Sequence, residues 1–193
     1  SDSSRSALAY LRDNKIPTVL VDRLASSDFD QVGVQNAKSV EQLIEHLADH
    51  GHRRIGMVPG QPGLATTLER LDGFRKAVRR RGLDTDPSLI APGSLDVEAA
   101  AQSTAALMGR PQPPTALVAG NNLATIGVMR GLRRLQLAVP REVALVGVDD
   151  FEWADCFEPH LTVIAQPCLE IGRRAAKMLV ERIKHSDAKP TTV

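Results

Sequence analysis

The sequence predicts an α/β fold with largely parallel sheets flanked by helices. Three observations predict it. Short apolar runs alternate with longer segments of helical apolar spacing along the whole chain. The helical segments are long enough to cross over between parallel strands. Polar residues stand just past the ends of three strand-like runs: Asp22 after Val19-Leu20-Val21, Asn121 after Leu117-Val118-Ala119-Gly120, and Asp149 after Leu145-Val146-Gly147-Val148. In open parallel sheets, ligands sit beyond the carboxyl ends of the strands.

Each element follows from a local pattern. Residues up to about Asn14 close a first helix. Pro17 introduces a buried strand at 18–21, and a weaker one is expected at 32–34. Val40, Leu43, Ile44 and Leu47 recur at helical spacing, and Gly51 supplies the left-handed stop. A strand at 55–58 leads through Pro59-Gly60-Gln61-Pro62-Gly63 into a helix at 66–81. Leu68, Leu71, Phe74, Ala77 and Val78 are its expected buried stripe, and Gly82 its stop. A weak strand at 88–91 precedes a helix capped by Asp96 and closed by Gly109. Pro111, Pro113 and Pro114 turn the chain into a strand at 115–119. A helix at 122–135, with Asn122 available to cap it, leads through Pro140 into a strand at 143–148. An extended segment at 161–165 and an amphipathic helix at 169–185 complete the order.

Composition bounds the function classes. The 193 residues carry 24 basic and 23 acidic side chains, so this segment is not itself a basic nucleic-acid surface. Cys156 and Cys168 form no CxxC pair and no disulfide framework, which points to a reducing, cytoplasmic setting. No apolar run reaches the ~20 residues that span a bilayer, so no membrane role is expected.

The sequence carries none of the common catalytic or cofactor signatures. There is no Gly-x-Gly-x-x-Gly, no phosphate loop and no Gly-x-Ser-x-Gly, so no catalytic residue and no cofactor is assigned. His46-Leu47-Ala48-Asp49-His50 places two histidines on one helix face, as in an inverted zinc-protease signature. The buried stripe lies elsewhere on that helix, so both histidines are read as solvent-facing and no metal site is assigned. Asp149-Asp150 reads as one ligand-facing and one structural carboxylate, because adjacent side chains diverge. Arg79-Arg80-Arg81 suggests an anion site, but at a helix C-terminus it is read as solvated charge offsetting the dipole.

Taken in order, several segments resemble the effector-binding core of LacI/GalR-type bacterial transcription regulators. They are Ile16-Pro17-Thr18-Val19-Leu20-Val21-Asp22-Arg23, His50-Gly51-His52-Arg53-Arg54-Ile55-Gly56, Arg70-Leu71-Asp72-Gly73-Phe74, and Thr115 through Asn122. The most specific runs from Val139-Pro140 through Gly147-Val148-Asp149-Asp150. It is followed by Pro159-His160-Leu161-Thr162, Gln166-Pro167 and Glu170-Ile171-Gly172. The resemblance covers nearly the whole chain in register.

This resemblance implies a two-lobe, periplasmic-binding-protein-like (type I) fold with an effector held between the lobes. Residues 35–165 would form the C-terminal lobe, and residues 1–34 with 166–193 part of an N-terminal lobe that is incomplete here. The helix-turn-helix that binds operator DNA would lie before Ser1. Asp22, Arg70, Asn121, Asp149 and Gln166 match pocket positions. Carboxylates accept from sugar hydroxyls, a guanidinium offers a fork of donors, and amides both donate and accept. Capping or turn stabilisation is the competing role for Asp22 and Asn121, and a helix-face salt bridge for Arg70. Leu95 stands where many sugar-binding relatives carry a stacking aromatic, so its contact would be apolar. Gln35-Asn36 and Asn121-Asn122 each lack an acidic residue common in the family. The resemblance also implies a homodimer through residues 123–135, Leu123, Met129 and Leu135 among them, and 151–157, with Phe151 and Phe157. Burial in the monomer core is the competing reading for Met129, Phe151 and Phe157. Trp153 would wall the pocket or meet a subunit. An extracytoplasmic sugar-binding protein of a transporter shares the fold and is the rival reading; an enzyme on a doubly wound sheet is the third.

Overall fold

The computed structural model describes residues 2–23, 26–152, 154–156, 158 and 160–193. The chain divides into two compact units, residues 1–34 with 167–193, and residues 35–166. Trp153, Phe157 and Pro159, to which the sequence reading gave roles, lie outside the described residues.

The first unit holds α1 (Asp2–Asp13), β1 (Val19–Val21), β2 (Asp30–Val32) and α6 (Cys168–Lys184). β1 and β2 pair in parallel, and Gln31 makes a parallel bridge to Thr192. The second strand lies two residues earlier than the sequence suggested. Asp30 and Gln31 disguise it, because both are polar yet buried. Asp30 accepts from Arg182 Nε at 2.7 Å, Thr191 N at 2.8 Å and Thr191 Oγ1 at 3.0 Å, so its desolvation is offset by three donors. Those donors, Arg182 first, hold the Asp30 carboxyl below its ordinary range.

The second unit holds α2 (Asn36–Asp49), β3 (Ile55–Val58), α3 (Ala65–Arg80), α4 (Val97–Met108), β4 (Ala116–Ala119), α5 (Asn122–Arg134), β5 (Ala144–Val148) and β6 (Thr162–Ile164). Its sheet runs β3-β4-β5-β6, all parallel. Side chains alternate across it, and both faces are covered, which is why the strands read as continuous apolar runs. Ile55, Met57, Ala116, Val118, Val146 and Val148 pack with Val40, Leu43, Ile44, Phe74 and Ala77 of α2 and α3. Val58, Leu117, Ala119 and Leu145 pack with Ala100, Leu107, Ala124, Val128 and Leu132 of α4 and α5. Each fully buried Leu or Val contributes about 1.5–3 kcal/mol. Small residues let the helices approach: a Cβ at Gly73 would sit 2.8 Å from Ala37 Cα, and one at Gly131 would sit 2.8 Å from Ala101 O.

Three local expectations are corrected. Residues 88–91 are not a strand: Pro87–Leu89 is a 3-10 turn, and only Ile90 bridges to Met57. Leu68 is 56% exposed, and the buried stripe of α3 runs instead through Thr66, Thr67, Arg70, Phe74, Ala77 and Val78. Asn121, not Asn122, caps α5: its Oδ1 accepts from Ala124 N at 2.8 Å, while Asn122 Oδ1 accepts from Leu123 N. Asp96 does cap α4, accepting from Ala99 N at 2.7 Å.

Candidate functional site

Strand register alone gathers the site in the second unit. Val58, Ala119 and Gly147 are successive partners across β3, β4 and β5, so Gly60, Asn121 and Asp149, each two residues on, share one edge. Glycines permit the close packing there. A Cβ on Gly60 would fall 2.6 Å from Asn121 Nδ2 and 3.3 Å from Thr67 Oγ1, and one on Gly120 would fall 2.9 Å from Pro59 Cα.

Arg70 reaches this edge from α3. It is 6% exposed, donating from Nε to Asn36 Oδ1 and from Nη1 to Gly120 O, both at 2.8 Å. Nη1 also lies 3.6 Å from Asp149 Oδ2. These bonds engage Nε and Nη1 and leave Nη2 uncommitted among the described residues. Asn36, itself 3% exposed, passes the network on by donating to Glu69 Oε2 at 2.9 Å. The helix-face salt bridge weighed for Arg70 is thus replaced by a buried anchor.

Asp149 follows β5 with φ 74, a left-handed conformation that Asp tolerates better than bulkier residues, and its N–H donates to Ile164 O at 3.0 Å. Its Oδ1 accepts from Gln166 Nε2 at 2.5 Å, so Arg70, Asp149 and Gln166 form one cluster. Asp150 turns away and accepts from Phe151 N. Asn121 spends Oδ1 on its cap and leaves Nδ2 uncommitted among the described residues. Leu95 is 45% exposed in the loop before α4.

Asp22, in the first unit, repeats the Asp149 geometry. It follows β1 with φ 66, and its N–H donates to Val32 O at 2.9 Å. Among the described residues its buried Oδ1 has no hydrogen-bond partner, a state that a donor from a ligand would relieve. Sequence reading missed Asn36, Glu69 and the Gly120 carbonyl as partners of this machinery.

The other candidates are separate from it. His46 and His50 lie with tilted rings, centroids 4.4 Å apart, on an exposed face, and His50 Nδ1 bonds His46 O. Among the described residues no group of three or more His, Cys, Asp and Glu is arranged to hold a metal.

The profile of the periplasmic binding protein-like domain matches residues 44–193. The chain belongs to that family. Within it the chain is of the LacI-regulator type. It is 31% identical over 172 residues to the HTH-type transcriptional repressor CytR of Escherichia coli (strain K12), a match covering 89% of this chain and 50% of the repressor. A transcriptional regulator CelR–cellobiose complex superposes with a TM-score of 0.87 at 30% identity, covering 95% of this chain and 57% of that one. A LacI family transcriptional regulator from Enterococcus faecium with bound ribose gives 0.84 at 25% identity, covering 94% and 68%. The chain thus spans about half the length of the curated relatives it matches. LacI-family regulators are not enzymes. No helix among the described residues is long and apolar enough to cross a membrane.

Proposed function

We propose that this chain is the effector-sensing domain of a cytoplasmic LacI-type repressor whose effector is a sugar or sugar derivative. The cluster of Arg70, Asp149 and Gln166 beside Asn121, with Arg70 Nη2 and Asn121 Nδ2 uncommitted, carries this reading. The orphan carboxylate oxygen of Asp22 supports a ligand bearing hydroxyl donors. Cellobiose and ribose in two similar regulators support the sugar class. Leu95 supplies an apolar contact in place of ring stacking.

Ligand contacts that differ between two states of the domain would shift the population between them. In a homodimer built on residues 123–135 and 151–157, that shift would alter operator binding by a DNA-binding head outside this chain. Met129 and Phe151 are half-buried, so part of each remains for such a contact.

Reading the coding sequence upstream of Ser1 tests the regulator assignment: a helix-turn-helix is expected, and a secretory signal would favour a transport-linked binding protein instead. A thermal-shift screen of sugars, sugar phosphates, polyols and nucleobases tests the ligand class. A stabilising sugar is expected, and stabilisation by nucleobases alone would overturn it.

A further inference from the structure

The structure divides the arginine run at the end of α3. Arg80 bonds Glu41 and Glu45, at 3.0 and 2.8 Å, and Arg81 bonds Glu45 and Asp49, at 2.6 and 2.5 Å. The run is therefore not simply solvated charge, since two of its members tie α3 to α2. Arg79 stays outside that network. It lies one turn beyond Arg75, and among the described residues neither guanidinium has an ion-pair partner.

Both line a cavity of about 300 Å³ between α3 and the segment 84–90. Phe74, Val78 and Ile90 supply its apolar floor. Asp84 and Asp86 stand on the opposite wall, and both are occupied. Arg54 bridges the two carboxylates, Asp84 Oδ1 accepts from Asp86 N at 2.9 Å, and Asp86 Oδ1 accepts from Ser88 N at 2.9 Å. The uncommitted charges on this cavity are thus the two cations.

We propose that this cavity is a second ligand site, taking a small organic anion: a carboxylate, sulfonate or phosphate monoester on a single ring. Two guanidinium forks one turn apart suit an oxyanion, and the apolar floor suits the ring. The volume is at the lower end for small-molecule pockets, which limits the ligand to about one ring. None of the proposed effector contacts takes part, so the site stands or falls separately from the effector reading.

Phenyl phosphate titrated into the ¹⁵N-labelled chain tests it. Saturable amide shifts are expected at Thr85, Ser88, Ile90 and along α3, with binding at least about tenfold weaker in Arg75→Gln/Arg79→Gln. Lys76→Gln removes a neighbouring cation that pairs with Asp72 and does not line the cavity, and should leave the affinity unchanged. Inorganic phosphate and benzyl alcohol, each lacking one half of the ligand, should bind more weakly. Absent shifts, equal loss in the Lys76 variant, or shifts centred on Arg70, Asn121 and Asp149 would overturn the proposal.

Discussion

Replacing Arg70 with Ala should destabilise the second unit by about 3 kcal/mol. A ligand-binding role for Arg70 would by itself leave the fold intact, but its burial gives it a structural role as well. Arg70 is 6% exposed, and its removal takes a donor from Asn36 Oδ1, in a residue 3% exposed, and from the carbonyl of buried Gly120. A stranded buried acceptor costs about 1–3 kcal/mol. Asp149 adds little, since its side chain is 22% exposed and retains Gln166. Two such acceptors give about 2–6 kcal/mol, and water entering the space of the lost side chain satisfies part of this, which brings the total to about 3 kcal/mol. Urea unfolding followed by far-ultraviolet circular dichroism measures it, provided the denaturant slope is unchanged. Arg70→Lys, which keeps the charge but cannot serve both acceptors, should fall in between. A loss below about 1 kcal/mol for Arg70→Ala would refute the buried-anchor reasoning.

Other perturbations separate roles that the structure superimposes. Asn121→Asp keeps the cap on α5 and removes the Nδ2 donor, so ligand affinity should fall with stability nearly unchanged. Asn121→Ala should lose about 1 kcal/mol of stability as well, by the same urea assay. Gly73→Ala should cost about 1–3 kcal/mol in unfolding, because its Cβ meets the Ala37 backbone rather than a side chain that can move. Hydrogen bonds from Ser88, then from Arg54, lower the Asp86 carboxyl to about 2. Its folded value thus lies below the unfolded one, so its contribution is present above about pH 4 and is lost as pH falls towards 2. Asp86→Asn should therefore flatten the acid limb of a Tm-against-pH profile and leave the slope above pH 5 unchanged.

Much of this fold was legible because its signals are local. The strands at 55–58 and 143–148 are apolar on both faces, and glycines with positive φ stop α2 and α3 at Gly51 and Gly82. β2 was misplaced because its burial depends on Arg182, far along the chain, and a buried Asp30 looks like a loop residue until that partner is known. Leu68 fitted the helical period, yet the helix turns that position outward, and the period alone does not say where an apolar stripe begins. For the candidate site, Asp22, Asn121 and Asp149 were singled out because strand ends are readable. The partners of Arg70 were not: Asn36 is 34 residues away and Gly120 is 50, and a backbone carbonyl leaves no trace in residue type.

Calorimetric titration of ribose, cellobiose and the best stabilising sugar into the wild-type chain and Asp149→Asn tests the central claim most directly. At least one saturable isotherm is predicted for the wild type, weakened about tenfold or more in the variant. Flat isotherms for every sugar, or an affinity unchanged by Asp149→Asn, would contradict it.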